Sequence, residues 1–153
     1  MQSEQMPQTA AGLDHLMNGG LGHLVNSARN AIFARLEEEL APLELTTVQF
    51  IVVIGAMRGR ARTVNEFCTF AGVDAGSMSR LLDRLEAKGI VHRTRNDPDR
   101  RQVQVELTDK GRALSPQIMP ALARVYQQFL SGFSEGDAVQ LQSLLTRLLA
   151  NAT

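Results

Sequence analysis

Residues 74–112 read DAGSMSRLLDRLEAKGIVHRTRNDPDRRQVQVELTDKGR, and the pattern of this stretch decides the fold. Apolar residues recur at helical spacing up to Gly89, which predicts a helix that this glycine ends. Two short strands are expected next, over 90–96 and 102–107, because apolar and polar side chains alternate in the second of them. The polar residues 96–101 form the turn between the strands. The stretch therefore predicts a helix followed by a two-stranded β-hairpin with a charged tip.

A shorter helix precedes this one. Thr63 and Glu66 have the spacing of a capping box, which predicts the start of a helix, and Gly72 predicts its end. Asp74 then caps the next helix. A short helix, a tight turn containing glycine and a second helix form a helix-turn-helix. Such a helix can enter the major groove of DNA while a neighbouring hairpin reaches the backbone or the minor groove.

Residues on the N-terminal side predict an arm and two more helices. Residues 1–12 are polar and lack periodicity, so we expect a flexible arm. A helical pattern begins at Leu13 and ends before Pro42. Thr46 and Gln49 form another capping box, which opens a helix that leads towards the helix-turn-helix.

The C-terminal residues also predict helices. Thr108 caps a helix that contains Pro116 and Pro120, and we expect it to be long and kinked because apolar spacing continues past both prolines. Ser134 caps a last helix with an apolar stripe. The stripe consists of Leu141, Leu144, Leu145, Leu148 and Leu149.

These features predict one domain over residues 13–153, mainly helical with a small β-hairpin wing. The winged helix-turn-helix would occupy about 46–108. The flanking helices, about 13–41 and 109–151, have more apolar surface than such a small lobe can cover, which favours a dimerisation layer. The alternative is that these helices simply pack on their own lobe.

Charge is distributed unevenly along the chain. The 153 residues have a net charge of zero, which alone argues against nucleic-acid binding. Residues 58–112, however, contain 12 Lys and Arg against 8 Asp and Glu, whereas residues 1–57 contain 2 against 6. A local basic patch attracts phosphate even on a neutral chain. The alternative is a solvated surface of ion pairs.

Several classes of protein are disfavoured. We find no glycine-rich phosphate loop, paired-histidine metal motif or nucleophile elbow, so we do not expect an enzyme. Three histidines that are scattered along the sequence and one cysteine are a poor set of metal ligands, and no cofactor is expected. One cysteine also excludes an intramolecular disulfide, which suits the cytoplasm. The longest apolar run, residues 50–57, is too short to span a bilayer, and no signal peptide is apparent.

The sequence resembles the MarR family of transcriptional regulators. The resemblance is most specific at residues 77–91 and at 97–101 with 103–112, which are similar to that family's recognition helix and wing. It extends over nearly the whole chain from about Leu13. It implies a two-fold dimer with one winged helix-turn-helix per subunit that binds a palindromic operator in double-stranded DNA. Many members are repressors released by a small phenolic or aromatic acid, although the sequence does not distinguish repressor from activator.

The resemblance and the chemistry of arginine indicate the DNA contacts. Ser77 and Arg80 would lie on the groove-facing part of the recognition helix. Asp99 and Arg101 match the Asp-x-Arg pair of the wing tip, where the carboxylate would orient the guanidinium towards the minor groove. The alternative is that the helix arginines are solvated and paired with Asp83 or Glu86. The predicted DNA-binding residues are Ser77, Ser79, Arg80, Arg84, Asp99, Arg100 and Arg101.

The sequence indicates the residues of a ligand-sensing site less clearly than those of the DNA interface. The resemblance implies a pocket between the dimerisation helices and the winged lobe, where His15, His23, Arg29 and Phe50 would suit a planar carboxylate. The two histidines are equally well explained as half-exposed helix residues. Cys68 is the alternative sensor, through thiol oxidation, although a core cysteine is the simpler interpretation. A further alternative is a winged helix that binds a protein instead of DNA.

Overall fold

A computed structural model describes residue 14 and residues 19–95 and 102–152. These residues form a mainly helical fold with one two-stranded antiparallel sheet. In chain order the elements are α1 (Leu21–Leu40), a 3-10 turn (Ala41–Leu43), α2 (Thr47–Met57), α3 (Val64–Ala71), α4 (Ala75–Ala87), β1 (Val91–Arg95), β2 (Val103–Leu107), α5 (Asp109–Arg112), α6 (Ser115–Phe129) and α7 (Glu135–Ala150). The predicted fold class is confirmed.

The helix-turn-helix consists of α3 and α4, and its predicted caps are present. The Thr63 hydroxyl accepts from the backbone N–H of Glu66, whose carboxylate accepts from the N–H of Thr63 in return. Gly72 ends α3 in the left-handed conformation, with φ of 66°. Asp74 then caps α4. Both helices therefore begin and end where their local sequence predicts.

The hairpin covers the open side of α4. Val91 pairs with Leu107 and Arg95 with Val103 in antiparallel register. Val105 and Leu107 of β2 are buried whereas Glu106 between them is exposed, as the alternating pattern predicts. The backbone N–H of Val105 also donates to the carbonyl of Arg62, 2.8 Å away, so the segment before α3 extends the sheet edge.

One core joins the lobe to α1 and α6. Apolar side chains of α2, α3, α4 and the hairpin pack together with the ends of the flanking helices. The largest fully buried side chains are Phe67, Leu40, Met78, Leu82, Leu85, Ile118, Val52, Val53, Val91 and Val125. The removal of this apolar surface from water is the main stabilising contribution to the fold.

Polar contacts fix α1 against α6. The carboxylate of Glu39 accepts from Arg35, one turn earlier on α1, and from Arg124 of α6 at 2.8 Å. The hydrogen bond from Arg124 holds the pKa of Glu39 below its ordinary value. Arg35 also donates to Gln128 of α6 at 3.0 Å. The two helices therefore have a defined register.

The prediction of one kinked helix after Thr108 was wrong. The chain forms α5, leaves the helix at residues 113–114, and starts again at α6. Pro116 lies in the first turn of α6, where proline is favoured because its missing N–H would have no partner there. Pro120 lies inside α6, which continues past it.

The first helix also differs from its sequence pattern. Asp14 is helical, but Gly19 and Gly20 form a turn, and α1 begins only at Leu21. Gly19 has φ of 93°, a conformation that glycine adopts without steric cost. Gly19 and Gly20 therefore lie outside α1, although apolar spacing alone predicts a helix from Leu13. The predicted arm over residues 1–12 lies outside the described residues.

The last helix, α7, has no buried residue along its described length, Glu135–Ala150. Its predicted cap is present, because Ser134 and Asp137 form a capping box. All five leucines of the predicted stripe are more than a third exposed, from 36% at Leu145 to 67% at Leu149. Within the part of the chain that the structure describes, no single helix is long and apolar enough to cross a membrane; Leu21–Leu43 and Thr47–Met57 meet that criterion only as a pair, bent by 79°.

Candidate nucleic-acid interface

The N-terminal half of α4 presents hydroxyl and guanidinium groups to solvent. Ser79 and Arg80 are exposed and Ser77 is half-buried. The Ser77 hydroxyl donates to the carboxylate of Asp74 at 2.7 Å, which holds the pKa of Asp74 below its ordinary value. Arg80 lies 3.4 Å from the Ser77 hydroxyl. The cap therefore orders the polar groups that begin the exposed face of α4.

Arg93 of β1 binds the two carboxylates of α4. Its backbone N–H and its Nε donate to Glu86 at 2.8 and 2.9 Å, and its Nη2 donates to Asp83. These contacts hold the pKa of Glu86 below its ordinary value and raise the pKa of Arg93. The arrangement fixes the wing strand against α4 through a side chain that sequence reasoning had not selected. The signal available was weak, because it required a contact between a helix and the strand after it.

The ion pairs of Arg93 determine which carboxylates the arginines of α4 can bind. Asp83 and Glu86 were the alternative partners for Arg80 and Arg84, and both carboxylates are engaged by Arg93 instead. Among residues 19–95 and 102–152, Arg84 makes no ion pair. Arg80 and Arg84 therefore pair with neither carboxylate of their own helix, and their exposed guanidinium groups are available to an external anion such as phosphate.

The structure describes the two strands of the wing but not the residues 96–101 at its tip. On its outer side His92 and Glu106 face each other across the strands, with 3.3 Å between Nε2 and Oε2. Asp99, Arg100 and Arg101 lie outside the described residues, so their contacts stay predictions. The strands bring residues 95 and 103 together as the last described pair before the tip.

The predicted ligand residues are separated. His15 lies outside the described residues. His23 and Arg29 are exposed on α1, with the Arg29 guanidinium 4.2 Å above the Phe33 ring, whereas Phe50 is only 5% exposed within the core. The structure therefore does not bring Phe50 to the surface beside His23 and Arg29.

Two cavities lie elsewhere in the lobe. One, of about 590 Å³, lies between the end of α2, β2 and the α5–α6 junction, with Arg62 and Arg112 among its lining residues. The other, of about 400 Å³, lies beside Phe70. Cys68 is half-buried and packs against the core. No group of histidine, cysteine and carboxylate side chains that could hold a metal ion is found among the described residues.

The fold is thus a winged helix-turn-helix with flanking helices, and comparisons with known proteins agree. The profile described as MarR family matches residues 42–102. The multiple antibiotic resistance protein MarR of Escherichia coli is 33% identical over 132 residues, which are 86% of this chain and 90% of that protein. The transcriptional regulator TtmR of Methylorubrum extorquens is 37% identical over 109 residues, which are 71% of this chain and 56% of that protein.

Solved structures give the same result. A mutant MarR from E. coli complexed with operator DNA has a TM-score of 0.75 and 32% identity, over 84% of this chain and 93% of that one. The chain belongs to the MarR family of transcriptional regulators. Family membership confirms the resemblance seen in the sequence and the expectation that the protein is not an enzyme.

Proposed function

We propose that the protein regulates transcription by binding a palindromic operator in double-stranded DNA as a homodimer. The observation that supports this most directly is the pairing of Arg93 with Asp83 and Glu86, because it occupies the two carboxylates of α4 that Arg80 and Arg84 could otherwise bind. Exposed arginines that the carboxylates of their own helix do not neutralise suit phosphate and base edges. The E. coli relative that was solved with operator DNA shares this fold.

The homodimer is supported by the surface of α7. Its apolar stripe includes Leu144, 50% exposed, and Leu148, 42% exposed. Such a contiguous apolar surface is typical of an interface with another chain. A two-fold dimer covers the same stripe on both subunits. We assign the flanking helices, about 13–41 and 109–151, to this dimerisation layer and residues 46–108 to the DNA-binding lobe.

In this proposal, α4 of each subunit enters the major groove and the two helices lie about one helical turn of DNA apart. Ser77, Ser79, Arg80 and Arg84 contact phosphates and base edges from α4. Asp99, Arg100 and Arg101 act from the wing, where the carboxylate orients a guanidinium towards the minor groove. A regulator that binds DNA in this way works in the cytoplasm, most often as a repressor.

We also propose that a small aromatic or phenolic acid releases the DNA. The exposed polar side chains of α1 support this, since Arg29 and His23 lie on a helix of the proposed dimer layer. His15 is the third residue that we propose for the site. A ligand there would change the spacing of the two lobes and so the affinity for DNA. Calorimetry with benzoate, salicylate and 4-hydroxybenzoate measures this; no heat of binding from any of the three would contradict it.

The DNA-binding proposal is tested on the DNA upstream of the protein's own gene. Affinity is measured across a salt series for the parent, for Arg101→Ala and Arg84→Ala, and for Arg58→Ala as a control that removes an exposed cation outside α4, the wing tip and the dimerisation layer. Tight, salt-sensitive binding that weakens in the first two variants and persists in the control is expected. Binding no tighter than to random DNA, unchanged in all three variants, would favour a protein partner instead.

A further inference from the structure

The C-terminal end of α4 is tied to the segment between α1 and α2. Lys88, which follows the last residue of α4, is half-buried. Its ammonium group donates to the backbone carbonyl of Glu44 and to Oε1 of Gln49, which lies 3.3 Å away. Since Glu44 lies in the turn that separates the flanking helix from the lobe, Lys88 joins α4 to the junction between the two parts of the fold.

The junction has an unusual backbone. Glu44 has φ of 55°, and within the described residues it is the one non-glycine residue with a positive φ. Residues with a β-carbon rarely adopt this conformation, and surrounding contacts must hold it. The ammonium of Lys88 binds the carbonyl of that same residue. The strained turn and α4 therefore hold each other in place.

The N-terminal turn of α2, which Lys88 contacts, is also hydrogen-bonded to α1. Gln49 is 4% exposed, and its Oε1 accepts from the N–H of Thr46 at 3.1 Å as well as from Lys88. At the same end of α2, the N–H and the hydroxyl of Thr47 donate to the carboxylate of Glu37 at 2.8 and 2.6 Å. The N-terminal turn of α2 thus connects Glu37 of α1 with Lys88 at the end of α4.

The other side of the same helix end is fixed by the α5 region. Lys110 donates to the carbonyl of Lys88 at 2.7 Å, and the hydroxyl of Thr108 donates to the carbonyl of Gly89 at 2.5 Å. Helix C-termini present unpaired carbonyls, which cations and hydroxyls satisfy. The C-terminal end of α4 is therefore anchored on both sides, while its N-terminal end carries Ser77 and Arg80 on the exposed side.

Because its C-terminal end is anchored, α4 can change its orientation only by tilting about that end, which we call the pivot. A helix of thirteen residues is about 20 Å long. A tilt of about 5° at the C-terminal end moves the other end by about 1.7 Å. Such a displacement exceeds the roughly 0.5 Å within which a binding group must be held. Small changes at the pivot therefore disturb base contacts more than contacts with phosphates.

We propose that Lys88 is a positioning residue for operator recognition, which sets the orientation of α4 relative to the flanking helices through Glu44 and Gln49. The proposal rests on the proposed DNA-binding function, and Lys88 itself contacts no DNA. Glu37, which binds the same turn of α2 through Thr47, contributes to the same orientation. Operator binding selects one lobe orientation, so a loosened pivot lowers the affinity for operator more than the affinity for random DNA.

The test uses the full-length dimer and Lys88→Met, which keeps an unbranched apolar side chain and removes the ammonium donor. Operator affinity should fall about tenfold, the effect of one charge-assisted hydrogen bond, while affinity for random DNA changes little. The slope of affinity against salt should stay the same because no phosphate contact is lost. Lys88→Arg, which keeps the cation, should recover part of the loss. Arg58→Met removes an exposed cation outside α4, the wing tip and the dimerisation layer, and should change neither affinity.

Two results would overturn the proposal. Operator affinity equal to the parent's in Lys88→Met would exclude a positioning role. An equal loss on operator and random DNA, with the salt slope lower by about one, would make Lys88 a phosphate contact instead. If Lys88→Met fails to fold, Glu37→Gln is tested in its place. It should lower the affinity for operator more than the affinity for random DNA, and affinities equal to the parent's would contradict the proposal.

A second readout does not depend on DNA. Spin labels at Ser79→Cys in a Cys68→Ser background report the distance between the two α4 helices of a free dimer. We expect a narrow distance distribution in the parent and a broader one when Lys88→Met is added. An unchanged width would contradict the proposal. If the parent binds no DNA at all, the function proposed above fails, and the width of the distribution still decides the role of Lys88.

Discussion

Replacing Leu144 of α7 by alanine should weaken the homodimer by about 2 kcal/mol. Leu144 is 50% exposed in the protomer and lies in the apolar stripe. Complete burial of a leucine contributes roughly 1.5–3 kcal/mol, so covering the exposed half contributes about 1 kcal/mol. Two-fold symmetry removes the contact twice. The dissociation constant of the dimer should therefore rise about thirtyfold.

Sedimentation equilibrium over a dilution series measures this change. Ser143→Ala is the matched control, because it truncates an exposed polar residue on the opposite face of the same helix. Leu145→Ala should have a smaller effect than Leu144→Ala, since Leu145 is only 36% exposed before association. A dimer equally stable in Leu144→Ala and the parent, or one weakened only by Ser143→Ala, would refute the assignment of the leucine stripe of α7 to the interface.

Three further predictions follow from single contacts. Gly111→Ala should lower the free energy of unfolding by about 2 kcal/mol or more in urea denaturation, because its β-carbon would lie 2.2 Å from the carbonyl oxygen of Ile90; stability equal to the parent's would exclude that close approach. Arg93 lowers the pKa of Glu86, so this pair stabilises the fold above the ordinary pKa of glutamate and less as the pH falls through the lowered value. Glu86→Gln should therefore lose less stability than the parent between neutral pH and about pH 3 in thermal unfolding, and an identical pH profile would count against the pair. Arg84→Ala should reduce the slope of DNA affinity against salt by about one, and a slope equal to the parent's would remove Arg84 from the interface.

Local signals predicted the helix boundaries well. Capping boxes at Thr46 and Thr63, the Asp74 cap and the left-handed Gly72 depend on residues within one turn of each other. The sequence therefore contains the information needed to place α2, α3 and α4. The alternation of apolar residues in β2 likewise predicts which face is buried.

Other features depended on contacts between distant residues. The division at residues 113–114 that separates α5 from α6 places Pro116 in a first turn, whereas the apolar spacing alone favoured a continuous helix. Arg93 binds two carboxylates of the preceding helix, which no periodicity predicts. Lys88 reaches a carbonyl 44 residues earlier in the chain. The sequence pattern indicates only that such charged residues are exposed. Their roles become clear from the tertiary contacts that the fold creates.

The central claim is that a two-fold dimer reads a two-fold DNA site with its paired α4 helices. Hydroxyl-radical footprinting of the upstream DNA tests this most directly, with the dimer-weakened Leu144→Ala beside the parent. We expect protection that is symmetric about a centre, with half-sites about 10 base pairs apart, and its loss in the variant at low protein concentration. A single asymmetric footprint, kept by the variant at the same concentration, would contradict the claim.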